Sequence, residues 1–259
     1  MGAAHKIRAR LNYFRHAKRG GHGVHSPFVF QLVTEVFPPG EEDIFSEHAA
    51  EDWRTECFLT NAVIDVTDFG TGVSGPRKIS DIAKHAAKRP KEGQLLYRIV
   101  NFFQPKNLLE LGTSLGITTL YETSATNIEK FITLEGCPNI AAYARQAFEK
   151  NNLAVEVHVG DFQNTLEKAL YDLGKVDYVF FDGNHREKPT LHYFETCLPF
   201  AHKDSVFIFD DIHWSEEMES AWEKIKQHPK TRLSLDLFHF GIIFFREEQF
   251  EKEHFVLRY

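Results

Sequence analysis

The sequence predicts an α/β fold: a parallel sheet covered by helices on both faces, closed by an antiparallel hairpin, with a helical region in front. Three observations lead there. From about residue 105 short apolar runs alternate with amphipathic helical segments, the rhythm of strand–helix–strand units. The apolar runs lack polar alternation, as expected of strands buried on both faces. The last two strand-like runs are joined by too few residues for a parallel crossover, so they must pair antiparallel.

Composition sets the frame. The 259 residues are 42% hydrophobic and 26% charged, ordinary for a globular chain long enough to bury a core without staples. Three widely spaced cysteines, Cys57, Cys137 and Cys197, form neither a disulfide framework nor a zinc motif, and fit a reducing cytoplasm. No apolar run approaches the roughly 18–20 residues of a membrane span, and no signal peptide is expected. The net charge of −7 conceals an asymmetry: residues 1–34 carry Lys6, Arg8, Arg10, Arg15, Lys18 and Arg19 and no acid, which leaves a net −13 for the rest. Such a basic stretch could meet nucleic acid, an anionic surface or the chain's own acidic body.

Gly20, Gly21 and Gly23 end the first, basic helix. Ser26-Pro27 opens a second, with Phe28, Val29, Leu32, Val33 and Val36 on its apolar face. Residues 38–60 read as polar and turn-rich, with an acidic run at Glu41-Glu42-Asp43. Residues 61–68 alternate like a half-buried strand. Ser80 is expected to cap a helix over about 81–88, and Glu92–Phe103 forms another through Leu95, Leu96, Ile99, Val100 and Phe103. Together 1–91 are expected to form a cap or lid region, and 92–259 the main domain.

Within that domain, strands are expected at 107–111, 131–134, 155–159, 176–181 and 205–209, with helices over about 116–125, 138–151, 163–172, 187–198 and 215–227. The closing pair is Leu233–Phe238 and Ile242–Arg246, joined by His239-Phe240-Gly241.

The chemistry gathers at the strand ends. The first strand runs through Glu110 into Gly112-Thr113-Ser114-Leu115-Gly116 and then a helix, a turn where a ligand can approach bare backbone. Ser114 stands where a dinucleotide-binding turn carries its middle glycine, which suits a ligand without phosphates. Glu135 ends the second strand, placed to accept hydrogen bonds from ribose hydroxyls. Gly160-Asp161-Phe162 ends the third, offering an acid and an aromatic to an adenine. A rival glycine turn at Ile64–Gly72 is set aside, because two helices rather than an acid-tipped strand follow it; it reads as a strand and flexible loop.

With Glu110-x-Gly112-x-x-x-Gly116, Glu135, Gly160-Asp161 and the terminal hairpin, the chain resembles the class I S-adenosylmethionine-dependent methyltransferases over about 92–248. The resemblance implies a Rossmann-like seven-stranded sheet. It puts Glu110 and the turn through Gly112, Thr113, Ser114 and Gly116 near the cofactor's methionine portion, Glu135 on the ribose, and Gly160, Asp161 and Phe162 at the adenine.

Asp182, in Asp182-Gly183-Asn184-His185, ends the fourth strand, and Asp210-Asp211 end the fifth. Adjacent parallel strands bring these carboxylates together, and such a cluster repels itself unless protonated or bridged by a hard cation such as Mg²⁺ or Mn²⁺. The 28-residue spacing from Asp182 to Asp210 resembles the metal triad of catechol-type and macrocin-type O-methyltransferases. The catechol type carries Asn where Asp211 stands, and a catalytic lysine where His185 stands. His185 is therefore the candidate base, beside Asp182. His213 and Trp214 sit at the same rim. The expectation is an O-methyltransferase acting on a small hydroxylated molecule, located in the cytoplasm and able to form a homodimer. The alternatives are a metal-free RNA or protein methyltransferase, favoured by the basic N-terminal stretch, and a non-catalytic adapter keeping the fold.

Overall fold

The computed structural model describes residues 3–40, 48–69, 72–123, 127–248 and 251–259. The acidic run at 41–43 and part of the rival glycine turn, Gly70 and Thr71, lie outside them, as does the end of the helix expected to reach 125.

In chain order, α1 (Ala3–His16) and the two-residue strand β1 (Lys18–Arg19) precede α2 (Pro27–Gln31), which continues as a π-turn over Leu32–Val36. Then come α3 (His48–Leu59), the hairpin β2 (Val63–Val66) and β3 (Gly75–Lys78), α4 (Ile79–Ala86) and α5 (Pro90–Phe103). The strand–helix alternation follows: β4 (Asn107–Leu111), α6 (Ile117–Glu122), β5 (Lys130–Glu135), α7 (Pro138–Lys150), β6 (Val155–Val159), α8 (Phe162–Leu173). It continues with β7 (Val176–Phe181), α9 (Glu187–Cys197), β8 (Ala201–Asp210) and α10 (Glu216–Gln227). The chain closes with β9 (Leu233–Asp236), β10 (Phe240–Phe244) and β11 (Glu253–Arg258).

The contacts divide the chain into two compact units, 1–38 with 174–259 and 39–173. The residues expected to form one N-terminal cap are thus shared between the two. In the second unit β4, β5 and β6 pair parallel in sequence order, and β2 and β3 form a separate antiparallel hairpin. In the first unit β7 pairs parallel with β8, and β10 pairs antiparallel with both β8 and β9. The antiparallel closing pair is therefore as expected.

Among the described residues, nine strands outside the β2–β3 hairpin exceed the expected seven by two. β11 pairs parallel with β9, and β1 pairs parallel with β11. The signal for β11 was present: Phe255 and Leu257 recur at period two and are buried, with Val256 half-buried between them.

Other local differences have local causes. The segment 38–60 contains α3 because Ala50, Trp53 and Cys57 recur at helical spacing and bury one face among otherwise polar residues. Ser80 lies inside α4, buried, and the extended Lys78 is the residue before the helix. The closing turn sits earlier than expected, because Phe238 takes a left-handed φ of 72° and its N–H binds Asp236 Oδ1 at 2.8 Å.

The basic helix α1 docks on its own unit. Lys6 Nζ stands 3.5 Å from the centroid of Trp214, Arg8 is 3.6 Å from Glu216, and Tyr13 Oη donates to Leu257 O at 2.5 Å. Of these contacts, Arg8 to Glu216 is one with the chain's own acidic body.

Candidate active site

In the second unit the turn after β4 is stitched to the tip of β5. The N–H groups of Gly112 and Thr113 both donate to Leu134 O, at 2.9 and 3.1 Å. Gly112 and Gly116 have φ of 111° and 78°, and Ser114 is left-handed at 47°. Gly116 has a second reason to be glycine: a Cβ there would stand 3.0 Å from the Phe148 ring. Trp53, from α3, donates its indole N–H to Leu115 O at 2.8 Å and holds the turn from the other side.

Glu135 closes this arrangement. Its Oε2 accepts the Ser114 N–H and its Oε1 the Cys137 N–H, both at 2.9 Å. Burial raises its pKa, partly offset by these amides. The expected ribose acceptor is therefore also the tie between two strand ends. Gly160 joins them, donating to Glu135 O at 2.9 Å. Asp161 caps α8 through Oδ1 to the Gln163 N–H at 3.0 Å. Phe162, partly exposed, starts that helix.

Glu110, expected near the cofactor's methionine portion, is 0% exposed. Its Oε2 accepts the hydroxyls of Thr119 and Thr133, each at 2.6 Å, and Thr133 in turn meets Thr113 Oγ1 at 2.6 Å. Oε1 has no hydrogen-bond partner among the described residues. Burial pushes the carboxyl up to about 7, against the lowering effect of the two hydroxyls. Inward-facing positions of a doubly covered strand have no route to solvent, so Glu110 supports the turn from beneath.

In the first unit the ends of β7 and β8 gather Asp182, His185 and Asp210, each offering one ligand atom within 4.8 Å of the others. Asp210 is 2% exposed, and His185 Nε2 lies 3.6 Å from Asp182 Oδ1. The three expected carboxylates are here two carboxylates and an imidazole. Asp211 is outside the group: it follows the last residue of β8, where the backbone turns left-handed at φ 52°. A divalent cation fits two oxygen donors and one nitrogen donor at this spacing.

His213 and Trp214, expected at the rim, are engaged in packing. His213 Nδ1 faces Glu219 at 3.0 Å and Nε2 faces Asp236 at 2.8 Å. Burial alone would lower its pKa, but the two carboxylates outweigh it and the imidazole is raised. Trp214 lies under Lys6.

One residue near Glu135 was missed. Phe69, after β2, rests its ring against Gly136. Its segment reads in sequence as a strand and flexible loop, because no acid-tipped strand follows its glycine turn.

Comparison with known proteins accords with this geometry. Residues 109–212 match a family model described as a methyltransferase domain. A catechol O-methyltransferase of Niastella koreensis is 28% identical over 127 residues, 48% of this chain and 57% of that protein. The chain thus matches a little over half the length of that relative. A methyltransferase of Podospora anserina bound to S-adenosylhomocysteine superimposes with a TM-score of 0.58 at 19% identity, covering 81% of this chain and 98% of that one. An O-methyltransferase of Bacillus cereus, also with S-adenosylhomocysteine, gives 0.56 at 19% identity, covering 84% and 97%. The O-methyltransferase TomG of Streptomyces achromogenes, with S-adenosylmethionine, gives 0.54 at 16%, covering 84% and 95%. The Rossmann-like fold, and the likeness to class I S-adenosylmethionine-dependent methyltransferases expected from the motifs, are borne out.

Proposed function

We propose that this chain transfers a methyl group from S-adenosylmethionine to a hydroxyl oxygen of a small molecule, with a divalent cation, Mg²⁺ or Mn²⁺, held by Asp182 and Asp210 and with His185 beside them as the base. The observation that carries the reading is the turn that Glu135 fastens: glycine-lined backbone closed by an acid whose carboxylate already takes the Ser114 and Cys137 amides, a setting that repels a phosphate. The methyltransferase-domain match over 109–212 and the catechol O-methyltransferase relative support it.

In this reading the turn through Gly112, Thr113, Ser114 and Gly116 receives the methionine end of the donor. Glu135, Gly160, Asp161 and Phe162 receive its adenosine. Glu110 positions the turn through Thr119 and Thr133. When bound, the cation supplies a lowered pKa and a fixed orientation for the acceptor hydroxyl. Asp182 and Asp210 provide its oxygen donors. His185, with Nε2 3.6 Å from Asp182 Oδ1, is the base that would accept the hydroxyl proton. Methyl transfer is then an in-line displacement in which orientation does most of the work. The reading includes a cytoplasmic location, consistent with three free cysteines, and a homodimer. No described helix is long and apolar enough to cross a membrane. The RNA-directed alternative loses support because Lys6 and Arg8 already have partners in their own unit.

The test is incubation with methyl-labelled S-adenosylmethionine and 3,4-dihydroxybenzoate as the probe acceptor, with product read by mass spectrometry. Methylated product should form with Mg²⁺ and disappear with chelator or with Asp210→Asn. His185→Ala should slow turnover about 10²–10⁴-fold. Transfer that survives both chelation and Asp210→Asn would replace the metal reading with a metal-free one.

A further inference from the structure

We infer that Phe69 is the stacking platform for the adenine of the methyl donor, supplied by the β2–β3 hairpin rather than by the parallel sheet. The inference rests on the S-adenosylmethionine reading above. Its first ground is a contact. A Cβ at Gly136 would stand 2.8 Å from Phe69 Cδ2 and 3.5 Å from Cε2, so the ring lies on the backbone of the residue that follows Glu135. Glycine at 136 leaves this strand end without a side chain of its own, and the phenyl ring occupies the space.

The ring's position is held by independent contacts. The Thr67 N–H points to Cys137 Sγ at 3.4 Å, and Asn139 Nδ2 donates to Asp65 O at 2.7 Å. Val66 is buried in the core cluster of this unit. Next to the ring, Asp68 accepts from Arg77 Nη2 at 3.0 Å, and its own N–H donates to Ser74 Oγ at 3.1 Å. Anchored on both sides, Phe69 is nonetheless 51% exposed. A large apolar side chain that is held in place yet half open leaves a flat surface for a partner.

The surroundings specify that partner. A purine presents a π-face that stacks on an aromatic ring without needing a hydrogen-bond code. Beside it, the Glu135 carboxylate suits the hydroxyls of a ribose. Phosphate is disfavoured, because Glu135 already takes the Ser114 and Cys137 amides and Asp68 adds a second carboxylate nearby. The ligand class is an adenosine carrying no phosphate.

Titration calorimetry of the full chain with S-adenosylhomocysteine and with adenosine tests this, using Phe69→Ala, Phe69→Leu and Phe69→Trp. Phe69→Ala should weaken both ligands about tenfold, within the range of one base–aromatic stack. Phe69→Leu keeps bulk without a π-face and should also weaken them. Phe69→Trp should stay within about twofold of the parent and show indole quenching on binding. The exposed position predicts unchanged melting for all three. Equal affinity for Phe69→Ala and the parent overturns the inference, as does Phe69→Trp losing as much as Phe69→Ala. A parent chain that binds neither ligand overturns the donor reading itself, a result distinct from either.

Discussion

Replacing Glu110 by Gln isolates the cost of a buried carboxylate beneath the glycine turn. The side chain is fully buried, Oε2 holds two threonine hydroxyls, and Oε1 has no partner among the described residues. Burial raises its pKa from the ordinary 4.5 to about 7. The folded state therefore holds this proton more tightly than the unfolded chain does. For an acid shifted upward, the contribution to stability is full below about 4.5 and is lost as pH rises towards about 7. At about 1.4 kcal/mol per unit, that loss is on the order of 3 kcal/mol. Gln keeps the acceptor for both hydroxyls and cannot ionise. Its amide adds a constant penalty for unpaired donors, which cancels when one variant is compared at two pH values. The assay is thermal melting of parent and variant at pH 5 and pH 8. About 2.5 kcal/mol of that loss falls between these two pH values, so the parent should lose roughly 5–10 °C more than the variant, at about 2–4 °C per kcal/mol for a chain of this size. Parallel pH profiles would refute the reasoning and mean that Glu110 is ionised in the folded state at no cost.

Two further outcomes follow from the packing. Gly116→Ala forces a Cβ onto a backbone at φ 78° and against the Phe148 ring, and should destabilise by about 1–2 kcal/mol in urea titration, with weaker donor binding through the displaced turn. Tyr13→Phe removes the hydroxyl bond to Leu257 O and should cost about 1 kcal/mol, with hydrogen exchange faster in β11 while β4–β6 amides are unchanged.

The strands and helices from 105 to about 246 were legible because their signals are local. Apolar runs of strand length, 3.6-residue amphipathic periods and glycines at turns depend only on neighbouring residues. The same holds for Gly112, Gly116, Glu135, Gly160 and Asp161, whose place at strand ends follows once the strands are assigned. The short connection between β9 and β10 required antiparallel pairing whatever the rest of the chain did. Even the pairing of Asp182 with Asp210 was readable, from two acid-tipped runs.

Tertiary structure alone decided how these pieces are used. That Glu110 lies beneath the turn rather than in reach of a ligand depends on Thr119 and Thr133 closing over it from α6 and β5. That His185 rather than Asp211 joins the two carboxylates depends on the loop after β7 and on the left-handed turn at Asp211. Trp53, Phe69 and the docked basic helix α1 act across 62, 67 and 244 positions of chain, to Leu115, Gly136 and Leu257. Hydrophobic period and turn chemistry describe which face of an element is apolar. They carry no information about which distant backbone that face will meet, and for these residues that meeting determines the role.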